Sequence, residues 1–137
     1  MVNKKKLLIF AWFCALGGML MSLYFSDIMK LVPCVLCWYQ RVMLYPLVVI
    51  IPIGILKNDK NIPFYVLPFS VIGMIIALYH NLLYYGVIPE AIAPCTFGVS
   101  CTTKLIELFG FVTIPMMSLI AFSVITISMS AYIRMRK

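Results

Sequence analysis

Pro33-Cys34-Val35-Leu36-Cys37-Trp38-Tyr39-Gln40-Arg41 joins a polar loop to an apolar run that continues to about Leu56. The run from Trp38 onward is long enough to cross a bilayer, whose ~30 Å hydrocarbon core takes about 20 apolar residues of helix. Pro33 suits a first helical turn, so the two cysteines are expected at the amino end of that helix. Unpaired backbone N–H groups there favour a thiolate. Helical spacing then sets Cys34, Cys37 and Arg41 on one face. A guanidinium one turn from a thiol stabilises the charged sulfur that attacks disulfides.

Working outward, three more stretches qualify as membrane spans: roughly Leu7 to Phe25, Ile62 to Tyr85 and Gly110 to Tyr132. Of the 137 residues, 64% are hydrophobic and 11% charged, and the mean hydropathy is +1.08. Soluble domains carry roughly 25% charged residues. The expected fold is therefore all-α: a polytopic bundle of four transmembrane helices in a single membrane domain over 1–137, with two cysteine-bearing loops. The amino terminus has a lysine cluster and an apolar run, as a signal peptide does. No small-x-small cleavage site ends that run, so it reads as an uncleaved first helix.

Charge sets the expected orientation. Eight of the eleven basic residues (Lys4, Lys5, Lys6, Lys57, Lys60, Arg134, Arg136 and Lys137) fall at the termini and in the loop between the second and third spans. The other side has Lys30, Arg41 and Lys104 together with Asp27, Glu90 and Glu107. Lysine and arginine favour the cytoplasmic side, so both termini are expected there and the two cysteine loops outside. The net charge of +7 then reflects topology and contact with anionic lipid; it gives no reason to propose nucleic-acid binding.

Four of the five cysteines fall in the two outer loops: Cys34 and Cys37 in the first, Cys95 and Cys101 in the second. Thiols outside the cytoplasm persist as disulfides, so both pairs read as redox-active or structural. Cys14 lies within the first span, where a thiol behaves as a small apolar side chain, and it is assigned to packing. The second loop is irregular, with Pro89, Pro94 and Gly98, and Thr102 to Phe109 reads as a short amphipathic surface helix.

Two further polar groups stand out. Arg41 alone is explained by snorkelling to the interface; Gln40 beside it and the cysteine pair above it add a functional reading. His80, the single histidine, sits within the third span, where ionisable side chains face a bundle interior or a site. Counting residues from the helix ends puts Arg41 and His80 at a common depth, flanking one headgroup-sized pocket. Such groups hydrogen-bond an electron acceptor or supply protons to it; the structural alternative for His80 is a hydrogen bond to a backbone carbonyl.

These residues closely resemble the DsbB family of disulfide-forming quinone oxidoreductases. Pro33 to Arg41 matches its P-C-x-L-C-x-x-Q-R signature, and the chain's small size and short second loop are similar to the Gram-positive BdbC branch. The resemblance implies a relay. A reduced extracytoplasmic thiol oxidase of the thioredoxin fold (DsbA-like) attacks the Cys95–Cys101 disulfide at Cys95, and Cys101 then exchanges with Cys34. Cys37 delivers electrons to a membrane quinone, menaquinone or ubiquinone. Gln40, Arg41 and His80 belong to the quinone environment, and no metal is implied. Exchange of this kind passes through mixed disulfides, with its direction set by relative potentials. Only five residues separate Cys95 from Cys101, fewer than in the best-known members of the family, which leaves open how these two share their roles.

Three other readings fit parts of the chain. Four cysteine ligands suit a zinc site in a non-catalytic assembly factor, though Arg41 then has no part. A thiol–quinone enzyme of the vitamin K epoxide reductase kind places its CxxC near the end of the last helix; here the motif opens the second. An interaction subunit with structural disulfides accounts for the loop cysteines alone.

Overall fold

The computed structural model describes residues 3–28, 30, 35–87, 89, 107–108 and 112–136. Within them run four long helices: α1 (Lys4–Leu23), extended by a π-helical turn at Tyr24–Ile28, then α2 (Val35–Leu56), α3 (Ile62–Tyr84) and α4 (Ile114–Arg136). Each is long and apolar enough to cross a membrane. Only a helix satisfies all its own backbone groups within lipid, which is why apolar runs of this length take that form.

Local chemistry fixes the helix ends. Asn3 caps α1 by accepting a hydrogen bond from Lys5 N–H at 3.2 Å, so the helix begins before the apolar run. Pro63 stands in the first turn of α3. The ends of α2 and α3 are alike. Asn58 (φ 52°) and Gly86 (φ 80°) each adopt a left-handed conformation. After α2, Asn58 N–H donates to the Ile55 carbonyl and Asp59 N–H to that of Gly54; after α3, Gly86 N–H donates to Leu83 and Val87 N–H to Leu82. Both are Schellman closures, which satisfy the last carbonyls of a helix.

The helices form a four-membered ring. Helix α1 packs on α2 and α4, and α3 packs on α2 and α4; α2 and α4 barely touch across the middle. The core contains Leu8, Ala11, Leu47, Ile51, Ile62, Val66, Phe122, Ile125 and Met129. At Gly73 the α3 backbone lies against the Phe122 ring, and a Cβ there would overlap it. Such close approach through small residues is how membrane helices pack without a hydrophobic driving force. Phe10, Phe13, Val49, Ile53, Phe64, Ile75 and Ile127 point outward and are exposed, as a surface bathed in lipid allows.

One cross-helix tie follows from a proline. Pro52 lacks an N–H, so the Val48 carbonyl one turn earlier loses its helical donor. The Trp12 indole Nε1–H of α1 donates to that carbonyl at 3.0 Å.

A short antiparallel ladder, β1 (Glu107–Leu108) with β2 (Val112–Thr113), precedes α4, in register Glu107 to Thr113 and Leu108 to Val112. The surface helix expected from Thr102 to Phe109 therefore does not run through 107–108, where the backbone is extended and paired across strands. Residues 102–106 and 109 lie outside the described residues, as do Pro33, Cys34, Cys95 and Cys101.

Candidate functional site

The first turn of α2 presents Cys37, and the next presents Gln40 and Arg41. All three line a cavity of about 360 Å³ between α1, α2 and α4. Pockets of ~300–1,000 Å³ are the usual size for small-molecule sites. The cavity has two characters. Near Cys37 its walls include Ser22, Ser26, Gln40 and Arg41; elsewhere they are largely apolar, with Gly18, Met21, Leu44, Ile120 and Phe122. Along α1 the lining extends from Cys14 to Ser26, which at 1.5 Å per residue is about 18 Å.

Arg41 is held from several directions. Its Nη2 donates to the Ser22 carbonyl at 3.0 Å and to the Ser26 hydroxyl. Its guanidinium lies over the Trp38 ring, 5.1 Å from the centroid, a cation–π contact. Tyr45, one turn further along α2, points its hydroxyl at Ser22 Oγ at 3.5 Å. Arg41 Nε is buried and has no hydrogen-bond partner among the described residues. A charged donor left unmatched in a low-dielectric setting is costly.

Gln40 and His80 are both buried and lie in contact across the α2–α3 seam, with Gln40 Nε2 3.1 Å from His80 Nδ1. Among the described residues His80 is not part of the cavity wall; it stands behind Gln40. The depth match between Arg41 and His80 thus becomes a chain, with Gln40 between the cavity and the histidine. Next to His80, Asn81 Nδ2 donates to the Ala77 carbonyl at 2.8 Å and the Pro115 carbonyl at 2.9 Å. That second bond fixes the start of α4, whose next turn supplies Met117 and Ser118 to the cavity.

Sequence reasoning did not identify Ser22, Ser26 or Tyr45 as partners of the α2 face. The available signal was two serines four residues apart at the end of an otherwise apolar run, since polar side chains in a span turn inward. Cys14, assigned to packing, does pack: its thiol faces the Ala121 carbonyl at 3.8 Å. It also lines the far part of the cavity.

The donor set can be tested against a quinone. A quinone offers two carbonyl acceptors on a flat apolar ring. The cavity offers a buried guanidinium N–H without an acceptor among the described residues, the Gln40 amide, and walls that are otherwise mostly apolar. The residues present fit such a group.

Residues 4–132 match the family described as "Disulfide bond formation protein DsbB". Among relatives, the "Disulfide bond formation protein C" of Bacillus subtilis is 46% identical over 129 residues, covering 94% of each chain. The "Probable disulfide formation protein C 2" of Bacillus cereus is 48% identical over 117 residues, 85% of this chain and 84% of the relative. A "Probable disulfide formation protein" of Metapseudomonas resinovorans is 43% identical over 122 residues, 88% of this chain and 85% of the relative. No solved structure matches. With a four-helix membrane bundle, the signature cysteine, glutamine and arginine on one cavity, and similarity along nearly its whole length, the chain belongs to the DsbB family of disulfide bond formation proteins.

Proposed function

We propose that this chain is a membrane dithiol:quinone oxidoreductase. It reoxidises a DsbA-like thiol oxidase outside the cell membrane and so supports disulfide formation in exported proteins. The observation that supports it best is the shared cavity of Cys37, Gln40 and Arg41, with Arg41 Nε–H buried and lacking an acceptor among the described residues. The similarity to disulfide formation proteins supports the same class of chemistry.

In the first step the partner's dithiol is oxidised to a disulfide, while Cys95–Cys101 gains two electrons and two protons and becomes a dithiol. That dithiol re-forms its disulfide by reducing Cys34–Cys37. Cys34 and Cys37 then close again, releasing two electrons and two protons. The bound quinone, menaquinone or ubiquinone, supplies the two-electron, two-proton sink for that last step. Within the chain, Cys37 stands in the first turn of α2, one turn before Arg41. Arg41 offers its positive charge and Nε–H where negative charge develops. Gln40, on the cavity wall, would hydrogen-bond the acceptor, with His80 behind it to hold the amide.

The basic residues at the termini and at 57–60 support a cytoplasmic location for both termini, with the cysteine pairs on the extracytoplasmic face. The test is quinone reduction by the purified chain supplied with a reduced thioredoxin-fold oxidase, compared with Cys37→Ser and Cys95→Ser. Quinone-dependent oxidation of the partner, lost in both variants, is the expected result. If Cys95→Ser alone still turns over a small dithiol, Cys34 and Cys37 are the pair next to the quinone. Well-folded protein with no turnover on either quinone class would end this reading.

A further inference from the structure

Arg41 carries five N–H donors on one rigid plane, and the structure accounts for where that plane is fixed. Nη2 is engaged by the Ser22 carbonyl and the Ser26 hydroxyl of α1. The Trp38 ring covers a face of the guanidinium. With these contacts set, the direction of Nε–H is set as well, and it is this donor that is buried without a partner among the described residues.

The first helix is shaped for the purpose. In a regular α-helix, residues four apart overshoot one turn by about 40°. Between Tyr24 and Ile28 the chain instead forms a wider π turn, whose bonds reach five residues rather than four. Ser26 lies inside that turn, and its hydroxyl meets the same Arg41 nitrogen as the Ser22 carbonyl. The switch from α to π also interrupts the regular pairing of carbonyls near the junction, and the carbonyl that Arg41 takes lies two residues before the π turn. Isolated π turns occur often at functional sites.

We propose that Ser26, presented by the π turn at the end of the first membrane helix, is a positioning residue that orients Arg41 so that its Nε–H meets a carbonyl oxygen of the quinone. This rests on the quinone reading of the cavity. Ser26 acts through the guanidinium: without its hydroxyl the plane is tethered at Ser22 alone and rotates on Trp38. Hydrogen bonds to charged groups are worth roughly 1.5–3 kcal/mol, so the effect should fall on quinone affinity.

The experiment uses the full chain in detergent micelles or proteoliposomes, with dithiothreitol as donor and a dimethoxybenzoquinone carrying a decyl tail as acceptor. In Ser26→Ala, KM for the quinone should rise about tenfold, with KM for the dithiol unchanged. Ser26→Thr, which keeps a hydroxyl, should return it to near wild type. A residue of purely structural importance would lower the folded fraction and the maximal rate and leave both KM values alone. That result, or an unchanged quinone KM in Ser26→Ala, overturns the proposal.

A second readout needs no turnover. The chain has three arginines, Arg41, Arg134 and Arg136, so protein labelled with ¹⁵N-arginine gives three Nε–H signals, and Arg41→Lys identifies the one of interest. That signal should shift and exchange faster with solvent in Ser26→Ala, and recover in Ser26→Thr. If wild-type protein does not reduce the quinone, the oxidoreductase reading fails by itself. The labelled spectra then still decide whether Ser26 orients Arg41: a signal indifferent to Ser26→Ala overturns it, a displaced one upholds it.

Discussion

The two halves of the bundle are built differently. Toward the chain termini, Leu47, Ile51, Ile62, Val66, Ile125 and Met129 fill the space between helices, each fully buried. Toward Cys37 the helices instead enclose a cavity and carry polar pairs, buried for Gln40 with His80 and Asn81 with the Pro115 carbonyl and part-buried for Arg41 with Ser22 and Ser26. In lipid, close packing is the main source of helix association, while a polar side chain without a partner is expensive. The dry half therefore holds the ring of helices together, and the polar half is where that stability is given up to keep hydrogen-bonding groups in place. Changes in one half should leave the property of the other intact.

The largest separation is expected at Cys37. Cys37→Ser should reduce quinone reduction to the protein-free rate while leaving resistance to denaturation close to wild type, because the swap replaces one small atom in a partly buried first turn. Thiol-dependent reduction of a short-tailed quinone, measured beside thermal unfolding in detergent, checks both. A large loss of stability would mean that Cys37 belongs to the packing of the fold.

Next comes Arg41. Arg41→Gln removes the charge, the contact with Trp38 and the bonds to Ser22 and Ser26 together. kcat/KM for the quinone should fall about 100-fold, the upper end for a hydrogen bond to a charged group. The drop should exceed that of Ser26→Ala, since the serine acts through the arginine. Steady-state kinetics at several quinone concentrations test the order of the two variants; the reverse order would separate Ser26 from Arg41.

How far the sequence could be read follows the same division. Four spans and the approach of Cys37 and Arg41 along α2 were legible, because each is a local pattern of length or helical spacing. The partners of that stretch of α2 were not. Ser22 and Ser26 lie 19 and 15 residues from Arg41, and His80 lies 40 from Gln40; nothing in one strip of sequence says which helices become neighbours or how they rotate. The π turn at Tyr24–Ile28 is equally silent, because nothing in the spacing of an apolar run marks a change of helix pitch. Conversely, the extended pairing of 107–108 with 112–113 went against an amphipathic pattern that a helix would have suited. Tertiary pairing overrode local preference there.

A smaller effect is expected in the dry half. Leu47→Ala empties part of a fully buried position and should cost about 2 kcal/mol or more of stability, as large-to-small changes in close-packed cores do. Turnover per folded molecule should not change, since Leu47 is away from the cavity walls. Reversible unfolding in mixed micelles gives the first quantity, and activity normalised to folded protein gives the second. A change in quinone KM would show that the halves are mechanically coupled.

The smallest effect tests whether a proline and a tryptophan form a unit. Trp12→Phe keeps an aromatic ring but removes the N–H that reaches the Val48 carbonyl, a loss of about 1 kcal/mol. Pro52→Ala acts on the same carbonyl from within α2, because alanine restores the helical donor that proline lacks. If the indole is there to satisfy that carbonyl, Trp12→Phe should cost less in a Pro52→Ala background. The coupling in the double-mutant cycle should be about 0.5–1 kcal/mol. Loss of ring area occurs in both backgrounds and cancels, so the cycle isolates the hydrogen bond. Additive effects would mean that Trp12 works only by packing, and that the bundle tolerates Pro52 by some means other than a donor from its neighbour.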